Sequence, residues 1–496
     1  MLQIQASHEA APLIDDNRRA RLVFCLVAAT VMAAALLALA ASLLQDPDSW
    51  WHIKVGQDLL ASRTFPTADT YSYTSAGHPW IAKEWLGQVL LALAYKTAGW
   101  NGVALLTIAV VALAVFLMSW HLSAWLKPTL AVGLTLVLAL LVDPVYIARP
   151  HIFTLPIIVV WTAYLFGVAR SELAPPLWLL PLLCLWANLH ATFTFGFVIA
   201  AFAGLDLLMR IRLSNPRLLA SWIAFGLLCP LVSLLNPYGV KAILATFTVA
   251  YGNEAVPYIL EWRPFNASEH GFQEVALLAV LFGLLVSRLQ IGWAKALFLV
   301  FTLHVYLTHI RFMYLFFLLV PIVLATEVAE QYPALSLAKW MADKRDGLER
   351  FFAKWFYQIC GVVGVLVVGA IAVLTSAYQA EPSQKTSARD ALTFAESHHL
   401  SGNVLNSYNF GGSLIFHGIK TFIDGRTDQL FLNGFTKTDT EMGRSGGKPI
   451  LQEQLKKYAI DWALLTADDS RIPFFDELGW KRAYSDKYAV IYVPGA

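Results

Sequence analysis

RRARLVFCLVAATVMAAALLALAASLLQDPDSWWH, residues 18–52, decides the fold class. Three arginines, Arg18, Arg19 and Arg21, precede an unbroken apolar run at 22–44, and Asp46 and Asp48 follow it at once. As a helix, such a run spans a hydrocarbon core about 30 Å thick. It is too long for a signal-peptide core and has no small-residue cleavage site before Gln45, so it reads as a retained span.

The rest of the chain repeats this composition. Of 496 residues, 57% are hydrophobic and 14% charged, against about 25% charged in soluble domains. A bilayer is the solvent that fits so much apolar surface. A net charge of +2 excludes nucleic acid as the main partner. Cys25, Cys184, Cys229 and Cys360 all lie in apolar stretches without metal-ligand spacing, which excludes a disulfide framework or a zinc site.

Further apolar runs at 101–122, 129–142, 152–168, 177–189, 193–209, 218–235, 272–286, 294–307, 313–326 and 356–377 bring the expectation to about eleven transmembrane helices. With the N-terminus in the cytoplasm, inner loops collect Arg18, Arg19, Arg21, Lys127, Arg170, Arg210, Arg217, Arg288 and Lys339 among others. Outer loops then hold about half as many Lys and Arg, the positive-inside bias. An odd span number places the C-terminus outside, in the periplasm or extracellular space, for a multi-pass protein of the cell (inner) membrane. The first outer loop, 45–100, is long and includes an amphipathic helix near 85–97; a second long outer loop covers 236–271. The basic stretch 331–354 reads as a surface linker.

Residues 1–378 thus form the membrane domain, and 379–496 a small α/β domain. Strand patterns occur at 403–406, 421–423, 461–465 and 488–493, and helical ones at 451–458 and 472–478. Asn266-Ala-Ser268 matches a glycosylation sequon, a triplet common by chance.

Polar residues gather at the outer ends of the spans: Asp46, Asp48, His52, Glu84, Asp143, Arg149, His151, His190, Asn236, Glu261, Arg263, His304, His309 and Arg311. Charges near lipid usually line a cavity or pair with one another; ordinary loop polarity is the alternative for each one. Asp46-Pro-Asp48-Ser-Trp-Trp-His52 offers two carboxylates suited to a general base or to a divalent cation such as Mg²⁺ or Mn²⁺. The plainer reading is a solvated Asp pair beside Trp50 and Trp51 anchored at the membrane interface. Glu84, in Ala82-Lys83-Glu84-Trp85, is a third acid, or one half of a surface Lys–Glu contact. In Ile423-Asp-Gly-Arg-Thr-Asp428, Asp424 and Arg426 either pair across a turn or reach down to the membrane cavity.

An acidic motif after the first span, a long first outer loop, many spans and an outer α/β domain together resemble the GT-C superfamily, membrane glycosyltransferases that use polyprenyl-phosphate sugars. Asp48-Ser-Trp-Trp-His-Ile-Lys resembles the first acidic motif of the catalytic subunit of oligosaccharyltransferase, and Asp143 stands where its second would. Ser407-Tyr-Asn-Phe-Gly-Gly412 is similar to that family's Trp-Trp-Asp-Tyr-Gly acceptor motif, but both Trp are missing and Asn409 replaces the Asp. Asp-Pro-Asp-x-Trp-Trp-His, Asn236-Pro-Tyr-Gly239 and Ile423–Arg426 are similar to patterns of a bacterial family of GT-C-like membrane proteins.

The resemblance implies transfer of a sugar from a polyprenyl-phosphate-linked donor to a glycan, lipid or protein acceptor on the outer face. Asp48, Asp46 and Glu84 are the catalytic candidates, with Asp48 first. Arg149, Arg263, His309 and Arg311 would hold the donor phosphate, where negative charge develops as the glycosidic bond breaks. His52, Asp143, His151, Asn236, Glu261, Asp424 and Arg426 would contact substrate. A metal at Asp46 and Asp48 is compatible but not required. A lipid or glycan transporter, or a non-catalytic assembly protein, are the competing classes. Transporters often show paired repeats and a site near mid-membrane; here repeats are not evident and the polar set is at one face.

Overall fold

The computed structural model describes residues 2–250, 262–342, 351, 354–376 and 380–495. Glu261, the boundary expected at 378–379 and part of the basic linker lie outside the described residues. The described helices begin with α1 (Leu2–Ala38), α2 (Asp48–Ser62), α3 (Trp85–Leu122), α4 (Pro128–Leu141), α5 (Thr154–Arg170), α6 (Leu179–Leu189) and α7 (Thr194–Ile211). They continue with α8 (Pro216–Ser233), α9 (Val240–Ala250), α10 (Gly271–Ser287), α11 (Trp293–Thr308), α12 (Met313–Gln331), α13 (Leu337–Ala342) and α14 (Phe356–Ser376).

Among the described residues, each apolar run read as a span is helical over most of its length. By length and composition, Arg18–Ala38, Trp85–Leu122, Pro150–Arg170, Ala191–Ile211, Pro216–Ser233 and Ile310–Gln331 can cross a bilayer. Pro128–Leu141, Leu179–Leu189, Gly271–Ser287, Trp293–Thr308 and Tyr357–Leu366 are shorter apolar helices. The chain is a multi-pass helical membrane protein. The spans of α5 and α12 are 78% buried and form the centre of the bundle, whereas that of α8 is 28% buried and lies outside. Leu227, Leu231, Phe282, Leu285 and Val300 remain exposed on α8, α10 and α11. Lipid tails are the solvent that makes so apolar an exterior stable.

Two local features carry the chain from membrane to site. The first helix stops at Ala38, and a 3₁₀ turn at Ser42–Leu44 aims the chain into α2. The sequence does not mark α2 as a helix, because Asp48–Ser62 mixes acids, Trp and Lys without a clear apolar stripe. α3 begins with the expected surface helix and is broken at Ala98 and Gly99 (φ 57°, ψ −144°). Gly99 adopts that left-handed backbone without the Cβ cost another residue would carry, so the surface helix and the span that follows meet at a bend.

The C-terminal part holds one sheet of β1 (Asn403–Asn406), β2 (Ile460–Thr466), β3 (Lys481–Ser485) and β4 (Ala489–Val493), in the order β1-β2-β4-β3. β1 and β2 are parallel, and the other pairs antiparallel. The expected strand at 421–423 is not one: Thr421 makes a single bridge to Ser72 of the first outer loop. Its β-branched and aromatic residues pair across the two parts of the chain instead of within the sheet. Thr421 N–H donates to the Tyr71 carbonyl at 3.1 Å, and Tyr73 N–H donates to the Thr421 carbonyl at 3.2 Å.

The first outer loop and the C-terminal part share one hydrophobic core, in which Trp51, Val55, Leu59 and Trp80 pack with Leu405, Ile415, Phe422 and Phe431. Helix Gly411–Phe416 lies against α2 so closely that a Cβ at Gly412 would collide with the Pro47 carbonyl, and one at Gly411 with the backbone of Asp424. Trp50 is buried between Trp100 (4.4 Å between ring centroids) and Phe416 (5.0 Å). The expectation that Trp50 and Trp51 anchor at the lipid interface is therefore corrected: both are buried in protein, because the C-terminal part covers them.

Candidate active site

At the end of the bundle that carries the C-terminal part, the two meet around a cavity of about 620 Å³. Its acidic end is built by α2 and the start of α3. Asp48 is the first residue of α2 and is 5% exposed. Its Oδ2 accepts from Arg149 Nη2 at 2.6 Å, and Asp46 Oδ2 lies 3.4 Å from Arg149 Nη1. Asp46 Oδ1 accepts from the Asp48 backbone N–H at 2.8 Å. Arg149 is held in place by its own loop: Ser49 Oγ donates to the Ala148 carbonyl at 2.9 Å, and Ala148 N–H donates to the Leu43 carbonyl at 2.9 Å. Arg149 thus braces the two aspartates.

Glu84 precedes α3 and faces two imidazoles. Its Oε1 lies 3.1 Å from His190 Nε2 and its Oε2 3.8 Å from His52 Nε2. Thr192 N–H donates to His190 Nδ1 at 3.2 Å, and Gln88 Nε2 is 3.2 Å from His52 Nδ1. With each Nδ1 accepting, each neutral ring presents its Nε2–H to Glu84. Burial, with Arg149 next for His52 and His151 next for His190, holds both imidazoles well below the usual histidine range. Burial also raises the Glu84 carboxyl to about 7, with Lys83 acting against that rise. The surface Lys83–Glu84 contact read as an alternative does not form. Lys83 instead pairs with Asp428 of the C-terminal part.

The cavity is also lined by His304, His309 and Arg311, from α11 and the turn before α12, and Arg311 is close enough to Glu84 and His190 to act on both electrostatically. His309 Nδ1 donates to the Trp262 carbonyl at 2.8 Å, and the Arg311 guanidinium lies 4.6 Å above the Trp262 ring. One wall is apolar, with Phe195, Phe197, Phe247 and Phe301. Phe247, on α9, lines the cavity and is itself 46% exposed. The roof is Tyr408, Gly425 and Asp428. Gly425 approaches so closely that a Cβ on it would overlap Asp48 Oδ1 and come within 3.0 Å of Trp51 Nε1. Trp51 Nε1 is buried with no hydrogen-bond partner among the described residues.

Of the residues singled out in the sequence, Asp48, His52, Glu84, Arg149, His190, His304, His309 and Arg311 line this cavity, and Asp46 stands behind Arg149. Several others lie elsewhere. Asp143 is exposed in a 3₁₀ turn. His151 Nε2 donates to the Val145 carbonyl at 2.8 Å and lines a separate cavity of about 140 Å³, shared with His190 and Arg311. Asn236 shapes its own turn, donating to the Ser233 carbonyl at 2.7 Å and accepting from Tyr238 N–H at 2.8 Å. Arg263 is exposed, and its carbonyl accepts from Ile310 N–H at 3.1 Å.

Asp424 and Arg426 do not reach into the cavity. Arg426 is fully buried; its Nε is 2.8 Å from Asp424 Oδ1 and its Nη1 2.5 Å from Asp69 Oδ1, between the rings of Tyr71 and Trp80. Sequence reasoning missed Asp69, Lys83, Gln88 and Asp428. Lys83 was adjacent to a marked acid; Asp69 and Asp428 had no signal beyond being charged in loops.

No protein-family model matches the chain, and no curated protein does. Among solved structures, the chain is similar to the crystal structure of ArnT from Cupriavidus metallidurans bound to undecaprenyl phosphate. The two are 12% identical, the match covers 94% of this chain and 97% of that one, and the TM-score is 0.49.

Proposed function

We propose that this chain is a glycosyltransferase of the GT-C kind, taking a sugar from a polyprenyl-phosphate carrier and passing it to an acceptor held under the C-terminal part. One observation carries the reading. A single cavity brings together two carboxylates, Asp48 and Glu84, the cations Arg149 and Arg311 with His309, and an aromatic wall of Phe195, Phe247 and Phe301. A lipid-linked donor needs this combination. Its tail stays in the bilayer, its phosphate meets the cations at headgroup depth, and its sugar lies against the acids. In an inverting displacement the acceptor hydroxyl loses its proton to a carboxylate as the glycosidic bond to phosphate breaks.

Asp48 is the base in this scheme, with Arg149 fixing its orientation. Glu84, between two neutral imidazoles, accepts in its ionised form from a second hydroxyl of the acceptor, leaving the reacting proton to Asp48. Arg311 and His309 take the charge of the leaving phosphate, while Arg149 is engaged with Asp46 and Asp48. A divalent cation at Asp46 and Asp48 would compete with Arg149 for the same oxygens. Among the described residues, no three His, Cys, Asp or Glu side chains group at metal-binding geometry. Because Arg149 already engages these oxygens, we assign the proton transfer to the carboxylates, and transfer is expected to survive chelation of divalent ions. The orientation assigned is N-terminus in the cytoplasm and site outside.

The test is donor binding and single-turnover transfer by the purified protein in lipid nanodiscs. Arg311→Ala is expected to weaken binding of a polyprenyl-phosphate sugar by roughly tenfold or more, the loss of one charge-assisted contact. Unchanged binding in that variant would remove Arg311 from the phosphate site.

A further inference from the structure

A second cavity, of about 590 Å³, lies between residues 74–79 of the first outer loop, residues 429–438 and the helix Lys448–Lys457. It takes no part in the chemistry above, yet three features mark it as a binding site. The first is backbone strain. Phe431 (φ 56°) and Asn433 (φ 57°) are left-handed non-glycine residues next to Gly434 (φ 80°). Thr436 holds the turn by donating from both its N–H, at 3.3 Å, and its Oγ1, at 2.8 Å, to the Phe431 carbonyl. Strain of this kind gathers at ligand clamps.

The second feature is the chemistry of the walls. Asn433 and Gln454 offer neutral amides, and Thr438 an acceptor oxygen whose own proton goes to the Gly434 carbonyl at 2.9 Å, beside the rings of Phe435 and Tyr458, whose centroids are 6.3 Å apart; the Lys457 ammonium lies 4.9 Å from the Tyr458 centroid. His78 and Lys457 stand exposed at the rim, and no Asp or Glu lines the space among the described residues. A pyranose has C–H faces that lie on aromatic rings and an edge of hydroxyls that both donate and accept, and this lining matches both. A lipid tail would strand the amides, and a cationic ligand would find no counter-charge.

The third feature is position. Gln429 lines both cavities. Its amide donates to the Ile81 carbonyl and accepts from Ile81 N–H, each at 3.1 Å, and Ile81 lines the first cavity. The Gln429–Ile81 pair therefore lies where the two spaces approach each other.

We infer that this second cavity binds an oligosaccharide, the distal sugars of a glycan acceptor whose terminal residue lies at Asp48 and Glu84. The word acceptor rests on the transferase reading; the glycan site rests on its own geometry. The experiment uses the full chain in detergent, with saturation-transfer NMR and calorimetry. The probes are a glucose trimer, an N-acetylglucosamine trimer, a galacturonic acid trimer and an unglycosylated heptapeptide. Asn433→Gly keeps the left-handed backbone and removes the amide. Lys457→Ala removes an exposed rim charge, and an unchanged melting temperature shows that the pair of substitutions leaves the fold intact.

At least one trimer is expected to saturate the protein, with roughly tenfold weaker binding in the double variant and unaltered binding of a polyprenyl-phosphate sugar. Binding of no trimer, binding indifferent to the double variant, or binding of the peptide alone overturns the inference. If trimers bind but no sugar is ever transferred, the transferase reading fails and the glycan site stands. If transfer proceeds without trimer binding, the site fails and the transferase reading stands.

Discussion

At Glu84, burial lifts the carboxyl from an ordinary 4.5 to about 7, so the residue changes charge within the working range. The folded chain then holds a proton that the unfolded chain releases between those two values. Its contribution to stability is full below about pH 4.5 and is lost as pH rises through about 7. A glutamine in its place would mimic the protonated acid. Glu84→Gln is therefore expected to be more stable than wild type at pH 8, by on the order of 1–3 kcal/mol read as a higher melting temperature, and to match it at pH 4.5. Activity should move the other way. Both histidines stay neutral, so the rise in rate between about pH 6 and 8 belongs to Glu84 and disappears in the same variant. Asp48→Asn keeps the shape and, in the Arg149 contact, an oxygen acceptor. It is expected to bind donor normally and to transfer about 10²–10⁴-fold more slowly; near-normal turnover would move the base to Asp46 or Glu84.

Among the elements, the glycines of the docking helix set the geometry. At Gly412 a methyl group would meet the Pro47 carbonyl and the Trp50 Cβ, both fixed by α2. Gly412→Ala is expected to cost about 1–3 kcal/mol as overpacking, read as a lower melting temperature and faster proteolysis between α14 and β1. The same scale shows what the sequence revealed. Each apolar run became a helix because a continuous run of Leu, Val, Ala and Phe has no competing structure in lipid. α2 escaped notice because its two buried faces touch different partners, the bundle and the C-terminal core, and no single stripe results. β3 escaped because Lys481–Ser485 is a largely exposed edge strand with no apolar alternation. Asp48, Glu84, Arg149 and Arg311 were legible as charges at one depth. Their partners in the C-terminal part were not, since nothing in Asp428 or Gly425 tells which loop they will meet.

For the whole molecule, orientation is the property to test. Placing the site outside requires residues 380–495 on the side opposite the loop between α7 and α8. In a variant lacking the four native cysteines, Lys487→Cys should react with an impermeant maleimide on intact cells, and Ser214→Cys should react only after lysis; both positions are exposed. The reverse pattern would put the cavity on the cytoplasmic face. The buried Arg426–Asp69 pair joins residues 357 positions apart in the chain. Removing one member of such a pair typically costs about 3–5 kcal/mol, because the other charge stays buried alone. Asp69 leaves the ribosome early and has no guanidinium to meet until nearly all the helices are inserted and residue 426 has emerged. The catalytic loop is thus translated near the beginning and completed near the end, so a chain that stalls before residue 426 carries the described spans and an unfinished site, and is expected to be cleaved in that loop faster than the full chain.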